Sequence, residues 1–304
     1  MQRISRFHMA LALVVLVPAL WAVNYLIARS APGVIAPNML AGQRWLLAGA
    51  AFCALSWREI RAHWDVIVAD WRHMLVLGVL GMWICGAWVY IAGQSTSATN
   101  LALIYALSPV MIVVVSRLWL KEPFTRVQAL GVLLAFAGVV HVVLKGQWAQ
   151  LARVQWAVGD LWVLGATLSW TFFTILLKRW STPLTDTARL GVISFYGVLV
   201  ILPFALWEAA TGPLPAVSAQ GLTLSLAAAV LPGFAAYLGY TFMLRELGAA
   251  RVGVVLYLGP PYAAVMAWLV LGEPIHAYHA VGLALILPGI YLVNRGRRAA
   301  APAR

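Results

Sequence analysis

Long apolar runs separated by short polar connections recur along the whole sequence. A helix needs about 20 residues to cross the roughly 30 Å of hydrocarbon in a bilayer. Runs of this length do not fit membrane β-strands, which alternate apolar and polar residues over about ten positions. The expected fold class is therefore all-α and integral to the membrane. We place ten spans near residues 9–28, 39–57, 73–94, 98–120, 126–144, 156–179, 186–207, 219–243, 248–271 and 276–294.

The composition agrees with this pattern, because 63% of the 304 residues are hydrophobic and only 10% are charged. A soluble domain carries roughly 25% charged residues. The net charge of +12 does not indicate a nucleic acid partner, since the basic residues stand in small groups between apolar runs. Nucleic acid binding would gather them on one solvated face. The expected partners are the lipid bilayer and a small-molecule substrate.

The distribution of Lys and Arg between the runs predicts the orientation of the chain. The face opposite the N-terminus holds only Arg29, Lys145 and Arg153, whereas most other basic residues fall on the N-terminal face. Basic connections stay in the cytoplasm, so we expect both termini on the cytoplasmic side. The expected location of the protein is the inner membrane of a bacterium. The first run is too long for the apolar part of a signal peptide and is expected to remain as a helix.

The sequence also contains a repeat. A shift of 151 residues lays 98–142 over 249–293 without a gap, so that Pro109 meets Pro260. The other matches include Glu122-Pro123 with Glu273-Pro274, Gly131 with Gly282, and Gly138 with Gly289. Such matches indicate an internal duplication.

We predict that residues 1–148 form a first five-helix repeat and residues 149–304 a second one. An odd number of spans makes the second repeat enter the membrane from the opposite face, so the two repeats are inverted. Inverted repeats provide two states of similar energy, open to either side, as alternating access requires. The repeat therefore favours a transporter over an enzyme or an anchor.

A weaker match relates the first helix of each half. Trp21 and Trp170 each lie about eight residues before a basic residue, Arg29 in one case and Lys178 in the other. The whole chain resembles the EamA-type branch of the drug/metabolite transporter superfamily. The resemblance rests on the first-helix sequence LWAVNYLIAR, the second-helix sequence AGQRWLLAG, and the paired blocks LSPV…LWLKEP…G…G and LGPP…LVLGEP…G…G.

The resemblance implies export or exchange of small metabolites, and some similar family members handle amino acids. The expected function is therefore an exporter or facilitator of an amino acid with an aromatic or other apolar side chain. A proton-coupled multidrug or metabolite antiporter of the same fold is the alternative.

Arg44 is a charged residue in the middle of the second span. A charge there costs at least about 2.5–3.5 kcal/mol on insertion scales, so it should face the bundle interior. Two interpretations remain open: Arg44 binds a carboxylate of the substrate, or it holds backbone carbonyls of a neighbouring helix.

Acidic residues are missing from the middle of every predicted span. A proton-coupled antiporter usually carries an intramembrane carboxylate that is protonated in turn with substrate binding. The sequence therefore favours facilitated diffusion or exchange.

Pro109 and Pro260 stand at matching places in the two halves. Proline removes a backbone donor, and the freed carbonyl needs a cavity or a neighbouring group in lipid. We expect both to interrupt helices that line the pathway, although a simple packing kink is the alternative.

Large aromatic side chains and one amide side chain lie near the middle of the predicted spans. They suggest an aromatic-lined cavity, which would suit the ammonium group and the apolar part of an amino acid. Tyr90 and Gln94 lie near a span end and are assigned to the interfacial belt. The candidate substrate-binding residues are Trp21, Asn24, Arg44, Trp83, Tyr105, Trp170 and Tyr257.

The remaining polar features carry weaker expectations. Cys53 and Cys85 are interpreted as buried apolar side chains rather than as a disulfide or a metal site. His276 and His279, together with Glu273, have a spacing that only weakly indicates zinc. No nucleotide-binding or nucleophile motif occurs, so we expect no enzyme activity and no cofactor. Ten spans can enclose a pathway in one monomer, which is the expected state.

Overall fold

A computed structural model of the protein describes residues 2–121, 125–149, 157–213, 218–247 and 255–300. Glu122, Pro123 and the beginning of the ninth predicted span lie outside the described residues. So does the side chain of Tyr257, although its backbone lies in a helix.

Within the described residues the fold is all-α, as predicted; we number its ten main helices α1–α10, and two short helices, Trp57–Ala62 and Trp64–Ala69, lie between α2 and α3. Seven helical stretches are long and apolar enough to cross a membrane, and Leu258–Leu271 and Ala277–Val293 are shorter apolar helices. The tenth is the 19-residue helix that carries Arg44. The helices are α1 (Gln2–Ser30), α2 (Pro37–Leu55), α3 (Trp71–Gly78, Val79–Ile84 and Cys85–Ala92), α4 (Ala98–Tyr105 and Ser108–Leu120), α5 (Arg126–Val143), α6 (Val158–Arg179), α7 (Asp186–Thr211), α8 (Ala219–Ala228, Ala229–Ala235 and Ala236–Leu247), α9 (Val255–Leu271) and α10 (Ala277–Ala300).

The inverted repeat is visible where α5 packs on α10. A Cβ atom built on Gly131 would lie 2.6 Å from the carbonyl oxygen of Gly289, and one built on Gly138 would lie 3.0 Å from that of Gly282. The two backbones therefore touch, because these small residues allow a close approach of the helices. The sequence repeat pairs 131 with 282 and 138 with 289, and the contacts pair them crosswise. A two-fold axis between two antiparallel helices produces this exchange.

The third helix of each repeat contains a π-helical segment. In α3 the segment is Val79–Ile84, and in α8 it is Ala229–Ala235. π-Turns inside α-helices free backbone groups and occur often at functional sites. The hydroxyl of Ser169 in α6 donates to the carbonyl of Leu80 at 2.8 Å, so one repeat satisfies a group that the other exposes.

A carboxylate also caps a helix across the two repeats. Glu208 in α7 accepts hydrogen bonds from the backbone N–H groups of Asn38 at 2.8 Å and Met39 at 3.1 Å. It also accepts one from the side-chain amide of Asn38 at 2.7 Å. The N-terminus of a helix favours a negative charge, so this contact fixes the beginning of α2, the helix that carries Arg44.

Candidate substrate site

A cavity of about 410 Å³ lies between the two repeats. Helices α1, α2, α3, α4, α6, α8 and α9 contribute to its wall. The two π-helical segments reach it through Gly81 and Pro232, which the shift of 151 residues pairs with each other. The polar and aromatic side chains in the wall are Trp21, Asn24, Tyr25, Arg44, Trp45, Cys85, Tyr105, Ser108, Ser116, Trp170, Thr174, Lys178, Tyr237 and Tyr240.

Arg44 lies in this wall with only 6% of its surface exposed. Its guanidinium donates to Oδ1 of Asn24 at 3.0 Å and to the hydroxyl of Tyr90 at 3.1 Å. The hydroxyl of Tyr90 in turn donates to the same Asn24 oxygen at 2.9 Å. The triangle fixes the direction of the guanidinium, because each of the three groups contacts the other two.

The positive charge of Arg44 forms no ion pair with a carboxylate among the described residues. Its Nε atom is buried and has no hydrogen-bond partner. The two groups that hydrogen-bond to Arg44, an amide and a phenol, are neutral, and so is the Trp45 ring, whose centroid lies 4.5 Å from the guanidinium carbon. A buried charge without a counter-charge costs several kcal/mol, so an anion that enters the cavity would be stabilised at this point.

Aromatic rings cover much of the cavity wall. The ring centroids of Trp21 and Tyr240 are 5.4 Å apart, and those of Tyr105 and Trp170 are 6.5 Å apart. Cys85 adds a thiol, whose sulfur lies 2.8 Å from the hydroxyl of Tyr105. Rings in this arrangement can stack on an aromatic substrate and can also face an ammonium group.

Most of the residues singled out from the sequence meet at this cavity, and Trp83 does not. Trp21, Asn24, Arg44, Tyr105, Trp170, Pro109 and Pro260 line it. Trp83 lies elsewhere: its indole N–H donates to Oδ1 of Asn38 at 3.1 Å, and its ring stacks on Phe204 at 4.4 Å. The side chain of Tyr257 lies outside the described residues.

The two matching prolines differ in their backbone. α4 is divided between Tyr105 and Ser108, and Pro109 stands in the first turn of its second part. Pro260 lies inside the continuous helix α9. Proline is tolerated in a first turn, where its missing N–H has no intrahelical partner in any case.

Tyr90 corrects the sequence interpretation, which assigned it to the interfacial belt. It is only 1% exposed and contacts Arg44. The sequence places Tyr90 near a span end, and α3 does end at Ala92. Its burial comes from packing against α1 and α2, which no pattern along α3 reveals.

The cavity has two different ends. At one end lie Ser116 and the exposed Lys178, in the last turns of α4 and α6. We call this the Lys178 end. Toward the other face, one helical turn of α4 beyond Ala102 of the wall, lies the Glu273 cluster, which we define as Arg29, Gly93, Ala98 and Glu273. None of these four residues lines the cavity. The contacts of the cluster join the end of α1, the end of α3, the beginning of α4 and the connection from α9 to α10.

The described part of the cavity wall contains no Asp or Glu, and the described residues hold no cluster of three or more metal-ligating side chains. His279, which the sequence linked weakly to zinc, accepts at Nδ1 from the backbone N–H of His276 at 3.2 Å. Its Nε2 lies 3.3 Å from Oδ1 of Asn100.

The sequence profile of the EamA-like transporter family matches this chain twice, over residues 8–144 and 157–295. The chain belongs to the EamA-like transporter family. It is accordingly a membrane transporter and not an enzyme. The two matches correspond to the two inverted repeats.

Known relatives of this family member are similar over most of its length. An uncharacterized transporter of Archaeoglobus fulgidus is 27% identical over 296 residues, which cover 95% of this chain and 98% of that one. The uncharacterized transporter YyaM of Bacillus subtilis is 27% identical over 222 residues, 71% of this chain and 70% of the relative. A probable terminal-alkyne amino-acid exporter of Streptantibioticus cattleyicolor is 28% identical over 204 residues, 66% of each chain. One solved crystal structure, 20% identical, superimposes with a TM-score of 0.59 over 98% of this chain and 99% of the other, and so supports the fold.

Proposed function

We propose that this transporter moves a small metabolite that carries a carboxylate and an apolar body, with an aromatic or other apolar amino acid as the leading substrate. The observation that carries the proposal is Arg44, a buried charge in the cavity wall without a carboxylate partner among the described residues. The protein would act as an exporter or a facilitator and would move the substrate by alternating access around this cavity.

The charge of Arg44 requires a counter-charge in the cavity. Arginine binds a carboxylate through two parallel N–H donors, and such charge-assisted bonds are the stronger class of hydrogen bond. Asn24 and Tyr90 hold the guanidinium but leave its charge uncompensated. A substrate carboxylate supplies the missing charge, and it does so only while the substrate is bound.

The aromatic wall of the cavity suits a substrate with an apolar body. Trp21, Tyr105, Trp170, Tyr237 and Tyr240 present ring faces and edges to the cavity. These surfaces suit an apolar or aromatic side chain, and their negative ring faces can accept the ammonium group of an amino acid. The name of the Streptantibioticus cattleyicolor relative, a probable exporter of an amino acid, agrees with this class of substrate.

The proton-coupled antiporter receives less support from the cavity. A carboxylate that alternates between proton and substrate would need to face the pathway, and the described wall contains none. Arg44 and Lys178 both add positive charge to the wall, which disfavours cationic drugs.

The test is transport in proteoliposomes with three compounds of similar size: phenylalanine, 3-phenylpropionate and phenethylamine. They carry both charged groups, the carboxylate alone, and the ammonium alone. We expect saturable uptake of phenylalanine without a pH gradient, weaker uptake of 3-phenylpropionate, and none of phenethylamine. Uptake of phenethylamine alone, or uptake that requires a pH gradient, would favour the antiporter.

Four expectations from the sequence remain predictions. These are the inner-membrane location, the cytoplasmic termini, the monomeric state and the boundary between residues 148 and 149. The distribution of basic residues supports the first two. Labelling of the N-terminus in intact cells and in inside-out vesicles would test the orientation.

A further inference from the structure

The Glu273 cluster joins four segments one helical turn beyond Ala102 of the cavity wall. The Oε1 atom of Glu273 lies 3.4 Å from Nε of Arg29, at the end of α1. The same carboxylate accepts from the backbone N–H of Ala98 at 3.1 Å, at the beginning of α4. Arg29 also donates to the carbonyl of Gly93 at 3.4 Å, just after α3.

The cluster joins the two repeats. Arg29, Gly93 and Ala98 belong to the first matched segment of the family profile and Glu273 to the second. Glu273 has a side-chain exposure of only 15%, against 44% for Arg29. The carboxylate therefore lies below the surface and draws α4 and the α9–α10 connection together. Both the Arg29 charge and the N-terminus of α4 stabilise it.

The helices around the cluster are closely packed. A Cβ atom on Gly93 would collide with the carbonyl of Ala28, so the ends of α1 and α3 are in backbone contact. On the neighbouring side, the Thr96 hydroxyl donates to the buried carboxylate of Asp160 at 2.6 Å. This hydrogen bond holds the loop after α3 against the beginning of α6.

At the opposite end, Glu122, the repeat counterpart of Glu273, lies outside the described residues. On the same face, the Glu59 carboxylate of the first repeat accepts a hydrogen bond from the Thr185 hydroxyl of the second at 2.8 Å. Lys178 lines the cavity, is exposed, and forms no ion pair with a described residue. One ion pair on that face, Arg6 with Glu246 at 3.1 Å, joins the beginning of α1 to the end of α8, and Arg6 is 60% exposed. Arg29 is thus paired at the Glu273 end, whereas Lys178 at the other end is exposed.

We propose that the Glu273 cluster is a gate, and that substrate passes this end only after the Arg29–Glu273 pair separates. The proposal rests on the proposed transport function, and it adds the residues that control access. Loss of the pair destabilises the closed state relative to the state that is open at the Glu273 end. A shift between two conformations follows the free energy that distinguishes them.

Cys85 is a native reporter for this shift, because it lines the cavity. Replacing Cys53 by Ala leaves Cys85 as the single cysteine, since the chain contains two. A small, membrane-impermeant, anionic thiol reagent then reaches Cys85 from one face in intact cells and from the other face in inside-out vesicles. A second reporter, Ala102→Cys with Cys53 and Cys85 replaced by Ala, probes the wall nearest the cluster.

Two variants remove the ion pair with little change in shape. Glu273→Gln keeps an oxygen that can accept from Ala98 and loses the charge, and Arg29→Gln removes the other partner. Glu208→Gln is the matched control. Glu208 caps α2 across the repeats in the same way, but it contacts no residue of the Glu273 cluster. Size-exclusion profiles confirm that each variant is folded.

In the protein that keeps the Arg29–Glu273 pair, we expect the reporter cysteine to be labelled faster from the Lys178 face than from the Glu273 face. Glu273→Gln and Arg29→Gln should each raise labelling from the Glu273 face by about threefold or more, which is the range of a partly exposed ion pair. Glu208→Gln should leave that rate unchanged. The proposal is overturned if neither reporter labels faster from the Glu273 face in either variant, or if Glu208→Gln has the same effect. If the variants shift labelling while no amino acid is transported, the gate stands and the substrate proposal fails.

Discussion

The two ends of the cavity differ in the contacts that their basic residues make. At the Glu273 end, a carboxylate joins a basic side chain and a helix N-terminus from the other repeat. At the Lys178 end, the basic residue that the sequence repeat matches with Arg29 stands exposed in the cavity wall. Inverted repeats build similar parts at both faces. The repeat counterpart of Glu273 is Glu122, which lies outside the described residues, so the comparison is between a paired Arg29 and an exposed Lys178. Matching basic residues of the two halves therefore have different surroundings, as alternating access allows.

Midway between the two ends, Arg44 should have the largest effect on transport. Arg44→Gln removes the charge that would meet the substrate carboxylate, which costs about 2–3 kcal/mol or roughly 30- to 150-fold in uptake. Arg44→Lys should recover part of the loss, because it restores the charge without the planar pair of donors. Initial rates of phenylalanine uptake measure both. Equal rates in all three proteins would leave Arg44 with a structural role.

The gate should show coupling between its two partners. Once Glu273→Gln has removed the ion pair, adding Arg29→Gln should change the labelling of Cys85 from the Glu273 face by less than about twofold. Residues in one contact are non-additive, whereas independent sites add. The double-variant cycle measures this directly. A double variant whose effect equals the product of the two single effects would show that Arg29 and Glu273 act separately.

Lys178 should have a smaller and salt-dependent effect. An exposed cation at the entrance attracts anions, and exposed pairs contribute up to about 1 kcal/mol. Lys178→Gln should therefore raise the KM for substrate presented at that face by about two- to threefold at low salt, and by less at high salt. Arg179→Gln is the matched control, because Arg179 lies over the ring of Trp119 at 5.9 Å and does not line the cavity. The same rise in both variants would point to a general surface-charge effect.

The smallest effect should distinguish two tryptophans that the sequence treated alike. Trp170 lines the cavity, whereas Trp83 packs on Phe204. Trp170→Phe should change the KM for phenylalanine by a few-fold, because stacked and edge-to-face contacts between aromatic rings are worth about 0.5–1.5 kcal/mol. Trp83→Phe should leave KM within about twofold and lower only thermal stability. A larger KM change for Trp83→Phe would mean that the pathway extends beyond the cavity described above.

The sequence predicts the helices well because each span must satisfy its own backbone in lipid. Run length alone is then enough to find α1 to α10. The repeated glycines, among them Gly131 and Gly138, are visible in the sequence and allow close packing, but that α5 and α10 pack on each other is known only from the structure.

Side-chain directions are harder to predict than helices. Trp83 and Tyr90 lie in the same helix, yet the sequence favoured Trp83, which does not line the cavity, over Tyr90, which contacts Arg44. The π-helical turn between Gly78 and Cys85 shifts the register of the residues around it, so a regular period of 3.6 residues fails there. The partners of Glu273 lie more than 170 positions away in the chain, and no local pattern links them.

The most direct test of the account is substrate protection of Cys85. With Cys53 replaced by Ala, the labelling rate of Cys85 from the Lys178 face is measured against increasing concentrations of phenylalanine, 3-phenylpropionate and phenethylamine. We predict that the two carboxylates slow the labelling in a saturable way, that phenethylamine does not, and that Arg44→Gln abolishes the protection. Protection by phenethylamine, or equal protection by the carboxylates with Arg44→Gln, would contradict the claim that the substrate's carboxylate compensates the charge of Arg44.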